Sequence, residues 1–116
     1  MELCEAWARG KIKMPTAKKA ILNSHAAAKE INDSEYGALC HAIGHAGATM
    51  HVGTHALGLP MYELTSIVLR YGKDNFLIPV SEKINYYYKR LLYWQENTDK
   101  LKLDWADFLL RGDFNE

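Results

Sequence analysis

Long apolar runs are missing from this sequence. No stretch approaches the roughly 20 residues that a membrane-spanning helix needs, and the acidic start Met1-Glu2-Leu3-Cys4-Glu5 lacks the apolar core of a secretory signal. No membrane partner is therefore expected. Cysteine is scarce too. Cys4 and Cys40 stand alone, with no Cys-x-x-Cys spacing, which argues against a disulfide framework and suits a reduced, cytoplasmic setting. Charge of either sign is not in excess: 14 Lys and Arg face 14 Asp and Glu across 116 residues. A non-specific nucleic-acid binder works by neutralising phosphates, so a neutral chain is a poor candidate for one. There is also no Gly-rich phosphate loop, no Gly-x-Ser-x-Gly, no His-Glu-x-x-His and no outstanding carboxylate pair. No catalytic residue and no cofactor are expected.

Strand alternation is absent as well, and helical spacing takes its place. The three prolines and eight glycines fall mostly where helices should break. A first helix ends near Arg9-Gly10, with Leu3, Ala6 and Trp7 at helical spacing. A second begins around Met14-Pro15-Thr16, since proline is tolerated in a first turn, and runs to Ile31. Its apolar face is expected to be Ala17, Ile21, Leu22, Ala28 and Ile31. Asn32-Asp33-Ser34-Glu35 supplies good N-caps for a third helix from about Glu35 to Val52. That helix is dense in small residues, which allow close backbone approach, so it is expected to be central. A fourth, about His55 to Tyr71, contains Pro60, which must either kink it or mark its true first turn. A fifth, from about Phe76 or Pro79 to Glu96, would pack through Ile84, Tyr87, Tyr88, Leu91, Leu92 and Trp94. A last helix spans about Lys100 to Arg111. The expected fold is all-α, a compact bundle or array of five to six helices in one domain over residues 1–116.

All five histidines lie between positions 25 and 55. Four of them make two i, i+4 pairs, His41 with His45 and His51 with His55, a spacing that can chelate a metal. One reading is therefore a metal-binding protein or enzyme built on His41, His45, His51 and His55. The other is that these imidazoles bond to backbone carbonyls or to each other at helix crossings.

Aromatic residues and charge point to binding. Tyr86-Tyr87-Tyr88 sweeps about 200° of a helix, so at least one ring must face away from the core. Tyr and Trp dominate interface hot spots. Residues 1–29 hold six bases and two acids, while residues 96–116 hold three bases and six acids, so the neutral total hides a basic start and an acidic end. The two could dock on one another, or the acidic end could meet a basic partner. Candidate partner-binding residues are Tyr86, Tyr87, Tyr93, Asp104 and Asp107.

Three segments carry a family resemblance: Ala6-Trp7-Ala8-Arg9-Gly10-Lys11-Ile12-Lys13, Ser24-His25-Ala26-Ala27-Ala28-Lys29, and Gly44-His45-Ala46 running on to Met50-His51-Val52-Gly53-Thr54-His55-Ala56-Leu57-Gly58. Over roughly Leu3 to Trp94 the chain resembles the immunity proteins of bacterial polymorphic toxin systems, in particular the domain likened to immunity family five. The resemblance implies an all-α, non-catalytic cytoplasmic protein of bacteria that binds and silences a cognate toxin. It carries His25, His51, Thr54 and His55 over as pattern residues, while His41 and His45 fall where that family often has other residues. The first expectation for the N-terminal end is a short first helix packed on the core; because the resemblance implies helical sequence ahead of Ala6, the alternative is a missing upstream helix or a homodimer through the N-terminal helix that covers it. A structural, homo-oligomeric helical domain is a third reading.

Overall fold

A computed structural model of the chain describes residues 1–50, 52–100 and 104–108. Among these, five α-helices follow one another with no strand: α1 (Glu2–Ala8), α2 (Met14–Glu30), α3 (Ser34–Ala48), α4 (Gly58–Tyr71) and α5 (Leu77–Asn97). Short 3₁₀ turns occupy Gly53–Leu57 and Thr98–Lys100. The all-α expectation holds. None of the helices is long and apolar enough to cross a membrane.

Local chemistry sets most boundaries. Gly10 ends α1 with φ of +76°, and the amides of Gly10 and Lys11 donate to the carbonyls of Trp7 and Ala6. Such a turn favours glycine, which has no Cβ penalty at positive φ. Pro15 sits in the first turn of α2. Asp33 caps α3, its Oδ1 accepting from the Tyr36 amide at 3.1 Å. The third helix ends at Ala48, short of Val52, and the fourth begins only after the 3₁₀ turn. Pro60 therefore lies in the first turn of α4 and kinks nothing.

α3 is the hub, packed by α2 on one side and α4 on the other. Its buried residues are Gly37, Ala38, Ala42, Gly44, Gly47 and Ala48, all too small to hold a neighbouring backbone off. A Cβ on Gly47 would come within 3.0 Å of the Cys4 Sγ. The core formed around this helix is modest: Cys4, Ile21 and Ala48 make one cluster, and Trp7, Ala8 and Ala17 another. Ile12, Met14, Met50, Trp105 and Phe108 close over these clusters.

The chain's far end returns to its first helix. The Ala106 amide donates to the Ala8 carbonyl at 2.7 Å, Trp7 and Phe108 rings meet at 5.4 Å, and Arg9 pairs with Asp104 at 3.0 Å. The basic start and the acidic end thus dock within one chain, at this pair. The expected last helix over Lys100–Arg111 is not continuous, because Asp104–Ala106 are not helical. Its remaining positions 101–103 and 109–111 lie outside the described residues.

Two expected faces are corrected. On α2, Ala17 and Ile21 are buried, but Leu22 and Ile31 are exposed, because α1 and α3 cover a narrower arc than the apolar spacing offers. On α5 the half-buried positions are Pro79, Val80, Lys83, Tyr87 and Asn97, while Ile84, Tyr88, Leu91, Leu92 and Trp94 stand exposed. The helix touches α4 along one thin stripe and turns much of its apolar surface outward.

Trp7, 6% exposed, is the largest buried side chain of this core. Trp7→Ala should destabilise the fold by about 3–5 kcal/mol, read as a lower denaturation midpoint in urea. A loss under about 1 kcal/mol would show that the α1 cluster contributes little.

Candidate functional site

Four imidazoles meet where α2, α3 and the 3₁₀ turn converge. His25 comes from α2, His41 and His45 from successive turns of α3, and His55 from the 3₁₀ turn. The Nδ1 atoms of His25 and His41 lie 2.7 Å apart, and those of His45 and His55 lie 3.1 Å apart. Within each pair one ring must donate and the other accept, so the two rings hold opposite tautomers. His25 also meets His45 edge-on at 5.0 Å, and Tyr62 of α4 stacks on His45 at 5.3 Å and leans on His41 at 4.9 Å.

Glycine makes room for this cluster. A Cβ on Gly44 would fall 2.6 Å from the Nε2 of His25, and one on Gly58 would collide with the His45 ring. Ser24 adds a cross-helix tie, its hydroxyl donating to the Cys40 carbonyl at 2.7 Å.

Burial, reinforced by the neighbouring imidazoles, holds His25 and His45 below the ordinary histidine range. Both rings therefore favour the neutral form, and protonating both members of a pair would abolish its N–H···N bond. Burial pushes the Cys4 thiol up, which disfavours its thiolate.

The spacing argument joined His41, His45, His51 and His55. The structure brings His41, His45 and His55 together and adds His25. His51 lies outside the described residues. The signal for His25 is the glycine opposite it on α3, Gly44, which leaves space for a ring. Among the described residues no three His, Cys, Asp or Glu side chains form a group that could hold a metal ion. Their ring-nitrogen contacts come in two pairs, His25 with His41 and His45 with His55. Thr54 sits exposed in the 3₁₀ turn, outside these contacts.

The expected partner-binding residues divide. Tyr86 and Tyr93 are exposed on α5, each beneath a cation: Lys83 Nζ lies 5.1 Å from the Tyr86 ring and Arg90 Cζ 4.7 Å from the Tyr93 ring. Tyr87 turns inward, its hydroxyl sealed from solvent beside Glu63. Burial first, and the Glu63 carboxylate second, push that hydroxyl's pKa upward. Glu63 in turn pairs with Lys83 at 2.9 Å. Beside this contact a cleft of about 480 Å³ opens between α3, α4 and α5, with Glu35, Arg70, Glu82 and Tyr86 on its walls. Asp104 is engaged by Arg9, whereas Asp107 is exposed.

A model of the Imm-5 like putative immunity protein family matches residues 1–90. The chain belongs to this immunity protein family. The match takes in α1 through most of α5, and with them the imidazole cluster and Tyr86. No curated protein and no solved structure matches the chain. In this member of the family, then, the matched region combines an inward polar cluster that locks α2, α3 and the 3₁₀ turn together with an outward aromatic helix.

Two outcomes follow for the cluster. His25 and His45 are held below 6.5 in the fold, so the unfolded chain binds protons more readily than the folded one. Their contribution to stability is full above pH 6.5 and declines as pH falls from there through their folded values. Melting temperature should be level near about pH 7.5 and drop toward about pH 5, and His25→Gln should flatten that slope. A slope unchanged in the variant would remove His25 from the account. Gly44→Ala should cost about 1–3 kcal/mol through overpacking against His25, measured by chemical denaturation.

Proposed function

We propose that this immunity protein neutralises a cognate toxin by direct binding, without catalysis, through the outward aromatic surface of α5. Membership of the immunity family supports the role, and the observation that carries the surface is the exposure of Tyr86 and Tyr93 under Lys83 and Arg90. Exposed tyrosines beside basic side chains supply rigid contact area and hydrogen bonding together, the combination found at interface hot spots. Asp107, exposed near the returning chain end, can add an acidic contact. Tyr87 supports this surface from within, against Glu63, while Asp104 is exposed and pairs with Arg9. Binding there would block the toxin by occlusion, and the toxin's own face should carry acidic or carbonyl groups to meet Arg90.

Co-expression tests the reading. Cells making the toxin encoded beside this gene should grow when this chain is present and arrest when it is absent. Tyr86→Ala with Tyr93→Ala should weaken the purified complex by about 30-fold or more, as hot-spot truncations do, while leaving the helical circular dichroism unchanged. Normal growth with an active toxin and no immunity protein would remove the reading. Unaltered affinity in the double variant would move the interface off α5.

A further inference from the structure

α5 exposes two different surfaces, and toxin binding accounts for one. Its charged residues Glu82, Lys83, Lys89, Arg90 and Glu96 fall on one half of the helix, at about 100° per residue. Tyr86 and Tyr93 share that half. On the other half stand Leu77, Ile84 and Leu91, 68%, 51% and 65% exposed, with Tyr88 beside them. Leu77, Ile84 and Leu91 are seven residues apart, the repeat with which one helix packs along another.

This apolar stripe continues onto α4. The Tyr62 and Ser66 side of α4 is turned to α3, where Tyr62 stacks on His45 and Ser66 is buried, and its Glu63 side meets Lys83 of α5. The remaining arc carries Met61 and Val68, with Leu57 just ahead of it at the end of the 3₁₀ turn, all exposed. On both helices the exposed arc lies opposite the cleft that Glu35, Glu82 and Tyr86 line against α3. The two arcs therefore form one face on the outer side of the α4–α5 hairpin, with no Asp, Glu, Lys or Arg in it.

We infer that this α4–α5 face docks on the same face of a second copy of the chain, making a two-fold four-helix bundle. Area supports the choice of occupant. Seven side chains of these sizes and exposures present roughly 700 Å² per copy, so a pair would bury on the order of 1,400 Å², within the range of stable interfaces. Composition supports it too. A partner that is met and released is usually steered by charge, whereas permanent homodimer interfaces are the more apolar class. A neutral chain sets no net repulsion between copies, and a self-complementary patch closes after two subunits. The face lies on the opposite half of α5 from Tyr86 and Tyr93, so a dimer leaves two toxin-binding surfaces open.

Sedimentation equilibrium and light scattering on the purified full chain test this. The native protein should show twice its 13.2 kDa mass at micromolar concentration, with a melting temperature that rises with concentration. Ile84→Lys with Leu91→Lys should halve the mass while far-UV circular dichroism stays helical. Should that variant unfold, hydrogen exchange of the native chain decides instead: amides of α4 and α5 should gain protection between dilute and concentrated samples, and those of α2 should not. A native chain that stays monomeric at high concentration overturns the inference. So does a double variant that stays dimeric, an exchange pattern that ignores concentration, or a monomer that meets the toxin through Ile84 and Leu91.

Discussion

Everything in this fold depends on how closely backbones can approach α3. Its buried positions are glycine and alanine, so what α2 and α4 meet there is nearly bare helix. Close approach lets a small number of side chains seal the contact, and it sets the width of the gap in which the imidazoles sit. Gly44 opposite His25 and Gly58 opposite His45 belong to the same constraint. The ring pairs fit because the residues facing them have no side chain. A hub of small residues has a cost, since it contributes little apolar area of its own. The clusters around Cys4 and Trp7 must supply that part of the stability, and the buried set contains one aromatic ring and one branched aliphatic side chain.

Much of this was legible in sequence because the signals are local. The run of Gly and Ala from Gly37 to Ala48 marked the central helix, Asp33 its cap, Pro15 a first turn and Gly10 a stop. The ambiguity of Pro60, kink or first turn, was resolved by the 3₁₀ turn ahead of it, which nothing in the residue pattern of Gly53–Leu57 announces. Apolar spacing also located the stripes of α2 and α5 correctly while misjudging what covers them. Periodicity says that Leu22, Ile84 and Leu91 lie on an apolar face. It cannot say whether this chain or another surface meets that face, which is a tertiary question.

The histidines show the same division. The i, i+4 spacing placed His41 and His45 on one side of α3, a property of the helix alone. That His25 would join them, and that the rings would meet in pairs, depends on the α2–α3 crossing and on the space over Gly44. Pairing of the rings makes the cluster a latch between three elements, with His25 and His45 held toward the neutral form by burial and by the imidazoles beside them. The division of α5 is similar in kind. Two rings under cations and one apolar stripe occupy opposite halves of a helix whose half-buried residues, Pro79, Val80, Lys83, Tyr87 and Asn97, are few. Such a narrow footing leaves both halves accessible at once.

The hydrogen bond from Ala106 to Ala8 and the pairing of Arg9 with Asp104, 95 residues away, have a consequence for biosynthesis. At about 5–20 residues per second, the ribosome needs roughly 5–20 s to make that intervening stretch. For most of this interval Trp7 has its α2 neighbours but not Phe108, and the Ala8 carbonyl waits for its donor. The packing of the first helix in the nascent chain therefore waits for Ala106 and Phe108.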